Sequence, residues 1–552
     1  MYQYNNNITT KLINKKQNVM NIKKHIQKTV MLIALSLPLT FLFANNIQVS
    51  NVKLVEQNTF NQYTMVKFDI SWQNSWRFST LESNWDAAWI FVKYRRKSET
   101  VWHHARLNDT GHVAPTNSKI TSGLSIVNQP FNAKDNPAVG VFLYRETEGS
   151  GSVNYTGVKL RWNYSANDLK DHDSVEVCVF AIEMVYIPTG SFYAGDNVYP
   201  GSKSIGYFVT GTTTDPFLVT SEDALTIGNN TTTEIWATSR INPAGTLSAE
   251  FPKGYQSFYI MKYELSQYMY KEFLNKLTRT QQETRVSAIT TNMFMTDTDT
   301  ATTPQYRNGI KVMSDPGGLL PRVYGNDLNN NGTEGEYDDG QYIACNWLSF
   351  YDLLAFADWS GLRPFTELEY EKACRGTLGP VASEYAWGTS NITYATGITN
   401  PGETDEVAAN TGANIAFNNE AGVQGPLRCG NFAGAATNRE QAGASYYGVM
   451  EMSGNLSEYV YSLGLSNNRN FNGNIHGDGV IQANGDTDTK VADWPNNAGL
   501  KGSNWLYRTG PPGGYSHQYK AHHVSARNQT SQIHETTGRW NTSGLRVART
   551  QP

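Results

Sequence analysis

Cysteine is scarce: 552 residues contain four, Cys178, Cys345, Cys374 and Cys429. None falls in a C-x-x-C pair or a zinc-ligand spacing, which excludes a zinc knuckle and a thioredoxin-like redox pair. Four cysteines allow three pairings, and the sequence alone does not choose among them. Charge is scarce too, at 17% of residues. No G-x-S-x-G, P-loop or G-x-G-x-x-G in a strand–helix context occurs, so hydrolase, nucleotide and dinucleotide readings have no support. What is abundant is Gly, Asn, Thr, Tyr and Trp. That composition suits a β- and loop-rich extracellular protein better than a helical cytosolic enzyme.

Lys23, Lys24 and Lys28 precede the apolar stretch V-M-L-I-A-L-S-L-P-L-T-F-L-F-A at 30–44. A basic region, a short apolar segment and a small residue predict a secretory signal peptide over 1–44, cleaved after Ala44, with Met20 the candidate true start. The stretch falls short of the roughly 20 residues of a membrane helix, so no span is expected once it is removed. No cysteine lies beside the cleavage site, which argues against a lipoprotein anchor. Taking away its six lysines and no acids from 45 basic and 49 acidic residues leaves 39 against 49, net −10. That charge disfavours nucleic acid and anionic membrane as partners and suits cation binding. The expected location is extracellular, cell-surface or periplasmic.

Residues 45–183 carry a period of two. V-K-F-D-I-S-W (66–72) sets Val66, Phe68, Ile70 and Trp72 on one face, and V-K-L-R-W-N-Y (158–164) alternates likewise. W-I-F-V-K-Y-R (89–95) and V-F-L-Y-R (141–145) add strands, and S-V-E-V-C-V-F-A-I (174–182) reads as a central one. The cluster E-G-S-G-S (148–152) reads as a turn. The expectation is an all-β sandwich with Trp72, Trp76, Trp85, Trp89, Trp102 and Trp162 mostly in its core.

From residue 184 the pattern becomes mixed. Residues 259–277 open as a strand and become a helix, with Tyr268, Phe273 and Leu277 on its buried stripe. Residues 347–376 predict two helices. Ser349 caps the first, which stops at Gly361, and Thr366 with Glu369 forms the capping box of the second. Beyond 376 the chain is Gly/Asn-rich and mostly loop, a composition that calls for metal ions or disulfides as staples. The fold class expected is α+β: the sandwich, then a mixed α/β domain over 184–552.

M-V-Y-I-P-T-G-S-F-Y-A-G-D (184–196), F-Y-I-M-K-Y-E-L-S, G-L-R-P-F-T-E-L-E-Y-E-K-A-C-R-G, Y-Y-G-V-M-E-M-S-G-N-L-S-E-Y-V, G-S-N-W and S-G-L-R-V-A-R occur in an order that resembles the formylglycine-generating enzyme (sulfatase-modifying factor) family, over about 184–550. N-D-L-N-N-N-G and I-H-G-D-G resemble a branch common in exported proteins of the Bacteroidetes. The resemblance implies a fold with little regular structure, related to C-type lectins and stabilised by calcium. In active aerobic members two cysteines follow the G-G-S-[WY] strand, bind copper and perform the oxidation. Here G-S-N-W (502–505) corresponds to that strand, and 506–523 contains no cysteine. No hydroxyl or imidazole replaces thiolate in Cu(I) binding or thiol exchange. The resemblance therefore implies a scaffold without the family's oxidation and without copper.

Metal is expected as structural Ca2+. N-D-L-N-N-N-G-T-E-G-E-Y-D-D-G (326–340) places oxygen side chains at Asp327, Asn329, Asn331, Thr333 and Asp338 around Gly332, a spacing that wraps a hard cation. The alternative is an Asn/Gly-rich surface turn. The resemblance adds a calcium at Gly454, Asn455, Leu456 and Glu458, and Asn431 of C-G-N-F. The Asp/Gly-rich run 475–489 reads equally as ion site or turn. His476, His517, His522, His523 and His534 show no metal spacing and read as scattered surface histidines. Trp505, Tyr507, Arg508, Tyr515, His517, Tyr519, Asn528 and Trp540 lie in the loops that form the family's groove, and suit recognition of a protein or glycan at the cell surface. Arg527 and Arg546 read as loop-holding.

The function expected is an exported, non-catalytic recognition or structural module. Its rivals are a self-assembling envelope subunit of a secretion or gliding apparatus, and an oxidoreductase with an unrecognised metal or thiol site.

Overall fold

The computed structural model describes residues 46–196, 206–237, 243–417, 422–434, 438–506, 519–530 and 537–552. The expected leader lies outside them. Alternating apolar residues build β1 (Gln48–Asn58), β2 (Tyr63–Arg77), β3 (Asp86–Arg96), β4 (Ser118–Leu124), β5 (Ala138–Arg145), β6 (Gly149–Trp162) and β7 (Val175–Ile187). Later come β8 (Phe258–Met261), the hairpin β9 (Ile310–Ser314) and β10 (Val323–Asn326), then β11 (Ser457–Val460), β12 (Gly499–Lys501), β13 (Ser543–Gly544) and β14 (Ala548–Thr550).

The architecture is α+β, with a sandwich at its N-terminal end. β1, β2 and β6 form one antiparallel sheet, and β14-β8-β7-β3-β5-β4 form a larger one in that order. Val66, Phe68, Ile70 and Trp72 of β2 and Val158, Leu160 and Trp162 of β6 pack on Ala88, Ile90 and Val92 of β3 and Val141 and Leu143 of β5. The opposite face of the larger sheet is buried as well. Trp89 and Phe91 of β3, Phe142 of β5 and Ile182 of β7 meet Phe356 and Trp359. Burial on both faces is why W-I-F-V reads as a continuous apolar run.

The change of pattern at 183/184 therefore falls inside a strand. β7 runs through it, and β8 and β14 extend the same sheet. Lys262, just after β8, reinforces the join: its buried Nζ lies 3.0 Å from Glu183 of β7 and 3.5 Å from Asp86 of β3. The shift from strand to loop spacing marks a change of local structure rather than a break in the core. Residues 149–152 also depart from expectation. They belong to β6, and Gly149, Ser150 and Gly151 pair with Arg77, Trp76 and Ser75, because Gly151, at φ +111°, admits a backbone that other residues resist.

Three helices position the C-terminal loops. α1 (Gln267–Leu274) is capped by Ser266. Its buried stripe runs through Tyr270, Phe273 and Leu274 and on to Leu277, whereas Tyr268 is exposed. Counting from Tyr270 at i, i+3, i+4 and i+7 explains the stripe and puts Tyr268 about 160° away, on the opposite side. α2 (Phe350–Trp359) starts at Ser349, with Asp352 completing a capping box, and α3 (Glu367–Arg375) starts at the Thr366–Glu369 box. Among the described residues no helix is long and apolar enough to cross a membrane.

Candidate recognition surface

The segment G-N-L-S-E forms a buried joint. Gly454 sits at φ +86°, and a Cβ there would lie 2.4 Å from Ile415 Cγ1. Asn455, also left-handed, accepts the Leu427 N–H on Oδ1 at 2.8 Å and donates from Nδ2 to Glu264. Its carbonyl accepts the Trp505 N–H at 2.9 Å. Glu264 accepts the Leu456 N–H at 3.0 Å. Glu458, on β11, accepts from Arg546 at 2.8 Å, and Arg546 also donates to the carbonyls of Met261 and Met450, each at 2.7 Å.

Glu451 accepts the Gly430 N–H at 2.7 Å. Glu458 thus pairs with the Arg546 guanidinium, and Glu264 and Glu451 feel its charge in the same interior. Burial pushes Glu451 up to about 7, against the pull of Arg546. It raises Glu264 and Glu458 as well. One oxygen each of Glu451 and Glu458 has no hydrogen-bond partner among the described residues.

Above this joint lies an aromatic face. Trp505 is buried and donates to the Asn541 carbonyl at 3.0 Å. The Tyr306 ring packs on it at 5.4 Å and on Trp347 at 5.9 Å. The Trp347 N–H donates to the Trp540 carbonyl at 2.9 Å. The Tyr306 ring thus packs on Trp347 and the Trp540 backbone pairs with it, and the two residues are 40% and 50% exposed, enough for a ring face to meet a ligand. Two fully buried amides lock the frame. Asn346 donates to the carbonyls of Tyr306 at 3.0 Å and Asn541 at 3.3 Å, and Asn308 donates to Asn346 at 3.0 Å.

The backbone here is strained. Tyr306, Arg307, Trp347 and Ser503 have φ of +50°, +65°, +60° and +60°. Bulky residues rarely adopt that region, at a cost of about 1–3 kcal/mol each. Arg307 is held there by Glu406 and the Pro426 carbonyl. Strain of this kind persists only where surrounding structure over-determines it, and it gathers where a surface is pre-shaped for use.

A family model described as "Sulfatase-modifying factor enzyme 1-like domain" matches residues 174–551. The chain belongs to that family. Among solved structures it is similar to Treponema denticola variable protein 1, at 11% identity over 67% of this chain and 96% of that one, with a TM-score of 0.30. No curated protein matches it.

The family's motif positions can now be placed. Arg546 serves the joint just described, and Arg527 pairs with Glu367 at 2.8 Å in full burial, so both hold loops together. Asn431 accepts the Ala408 N–H at 2.8 Å and donates to the Glu406 carbonyl at 3.3 Å. Asn431 and Asn455 therefore use both amide ends on protein partners. All four cysteines are free. Cys429 is fully buried with Sγ on the Glu264 carbonyl at 3.3 Å. Burial pushes its thiol and those of Cys345 and Cys374 up, which keeps them protonated.

Of the expected groove residues, Trp505 is a buried wall and Trp540 lies on the face, while Asn528 is half-buried. Tyr507, Arg508, Tyr515, His517 and the Tyr519 side chain lie outside the described residues. Tyr306 and Trp347 had no sequence signal, since the spacing of Q-Y-R-N and N-W-L reveals neither contact nor φ. The histidines differ from expectation. His476, His522 and His523 are buried, and His517 and His534 lie outside the described residues. The rings pack in the interior: His476 accepts the Thr550 N–H at 3.0 Å, His522 meets Phe417 and His523 meets Tyr385.

In the Asp327 loop, Asn329, Asn331 and Thr333 are exposed, Asp338 is half-buried and Asp327 is fully buried. Asp327 pairs with Lys311 at 2.7 Å. Carboxylate oxygens of Glu336, Asp338 and Asp339 lie within 4.8 Å of one another, as do those of Asp358, Asp478 and Asp488 in and beneath the 475–489 run.

Proposed function

We propose that this chain is an exported, non-catalytic, calcium-stabilised recognition module at the bacterial surface or envelope, of the Bacteroidetes type. It binds a protein or glycan ligand through the face carried by Tyr306 and Trp540. The observation that carries the reading is the amide-locked backbone at Tyr306 and Asn541, strained at Tyr306 and Trp347, that holds these two residues in place. Rigid aromatics give large contact area at low entropy cost, and a pre-shaped frame lowers that cost further. The buried, protonated thiols and the absence of any cysteine after Cys429 support a role without the family's oxidation.

A glycan and envelope-protein binding screen with the full chain tests this. Tyr306→Ala and Trp540→Ala should each weaken binding of the ligand found by about tenfold or more, with the native circular-dichroism spectrum retained. Binding untouched by both variants would remove the face from the reading. Oxygen-dependent conversion of a cysteine-containing peptide would return the oxidoreductase alternative, and rings or filaments in electron micrographs would favour the envelope subunit.

A further inference from the structure

The loop after β10 gathers three carboxylates, Glu336, Asp338 and Asp339, of which the spacing of the sequence picks out only Asp338. We propose that Glu336, Asp338 and Asp339 together bind one divalent cation of the calcium class, while Lys311 supplies the positive charge that Asp327 needs. The inference rests on the calcium part of the reading above and assigns it to named oxygens.

Asp327 is committed elsewhere. Its carboxylate accepts from Lys311 Nζ at 2.7 Å and from the Gly332 N–H at 3.1 Å, and the same ammonium reaches Asn330 Oδ1 at 3.1 Å. A doubly charged ion on those oxygens would have to displace or repel a buried ammonium. The first position of the expected loop is thus neutralised by protein.

The three acids further along are not. No Lys, Arg or His among the described residues forms an ion pair with Glu336, Asp338 or Asp339. Their oxygens lie within 4.8 Å of one another, the separation allowed when each sits 2.3–2.6 Å from a common ion. Asp339 is fully buried. Its Oδ2 accepts the Glu336 N–H at 2.8 Å, and its Oδ1 has no hydrogen-bond partner among the described residues. A buried carboxylate oxygen without a donor is costly, and two more carboxylates beside it raise that cost. One cation relieves both. Gln341 Oε1 is likewise buried and unpartnered, and its Nε2 donates to the Glu336 carbonyl, so a neutral oxygen lies close in sequence to the same turn. Asn329 Nδ2, 3.0 Å from Asp338 Oδ1, holds that carboxylate in place. A site made only of oxygen favours hard cations.

The other acidic group provides the contrast. Asp358 accepts the Asp478 N–H at 3.2 Å, the Thr487 hydroxyl at 2.6 Å and the Asp488 N–H at 2.9 Å. Its oxygens already accept three hydrogen bonds from the 475–489 turn, so this group lacks the unpartnered buried oxygen found on Asp339.

Tyr337, 65% exposed and between two of the ligands in sequence, is a built-in sensitiser for Tb3+ luminescence. The test is Tb3+ titration of the full chain, Ca2+ competition and calorimetry with Ca2+ alone, with circular dichroism to check folding. Asp339→Asn and the half-buried Glu336→Gln should each weaken affinity roughly 30-fold. Asp488→Asn and the paired variant Lys311→Met/Asp327→Asn, which removes the ion pair as a unit, should stay within about threefold of wild type. Loss of binding in the paired variant with full binding in Glu336→Gln and Asp339→Asn would overturn the assignment in favour of the spacing-based set. A wild-type chain that binds neither ion would overturn the site and the calcium part of the proposed function together. Ligand binding by the Tyr306/Trp540 face is measured separately and would survive that result.

Discussion

In equilibrium urea unfolding, Arg546→Met should lose about 3–5 kcal/mol relative to wild type. The guanidinium is fully buried, sits on Glu458 and two carbonyls, and is the cation that Glu264, Glu451 and Glu458 share. Removing it leaves buried acids uncompensated and two carbonyls without donors, the expensive half of a buried ion pair. The double variant Arg546→Met/Glu458→Leu should recover a large part of the loss, because it takes away one stranded charge as well. A single variant within about 1 kcal/mol of wild type would mean that the three carboxyls are already neutral and that the joint is held by packing.

The second large effect is on pH dependence. Glu451 has its folded-state value raised to about 7, chiefly by burial. A raised carboxyl binds its proton more tightly in the folded chain than in the unfolded one. Its contribution is therefore present in full below the ordinary glutamate value, and is lost as pH rises through about 7. Glu264 and Glu458 are raised too, so they act in the same direction. Glu451→Gln keeps the oxygen that accepts the Gly430 N–H and removes the charge. Between pH 5 and pH 8, wild type should lose about 3 kcal/mol more than this variant. Parallel stability curves for the two proteins would show that Glu451 is not the titrating group.

Both effects arise at a place that local pattern marks only in part. The motif G-N-L-S-E points to Asn455 and Glu458, yet their partners Glu264 and Arg546 lie 191 and 88 residues away. Ser349, Thr366 and the strands at 66–72 and 158–164 were legible, because capping and alternation depend on neighbours a few residues apart. Periodicity puts Tyr268 on the buried stripe and the structure exposes it, since a single helical stripe leaves its phase open until a core is chosen. His476, His522 and His523 are buried against the expectation of surface rings, because a polar ring carries no local sign of the packing around it. The aromatic face went half unseen, as Tyr306 and Trp347 belong to it only through the amides of Asn308 and Asn346.

By itself the amino-acid order determined the α+β class, the succession of strands and capped helices, and membership of the family through motifs of contiguous residues. It also determined that no cysteine follows position 429. Only the tertiary structure decided that one sheet runs through both halves, that Lys311 takes Asp327 while three later acids crowd together, and which rings reach the surface. The reason is physical. Propensity and periodicity act over a few residues, whereas burial and the pairing of charges are settled by groups that are remote along the chain and adjacent in space.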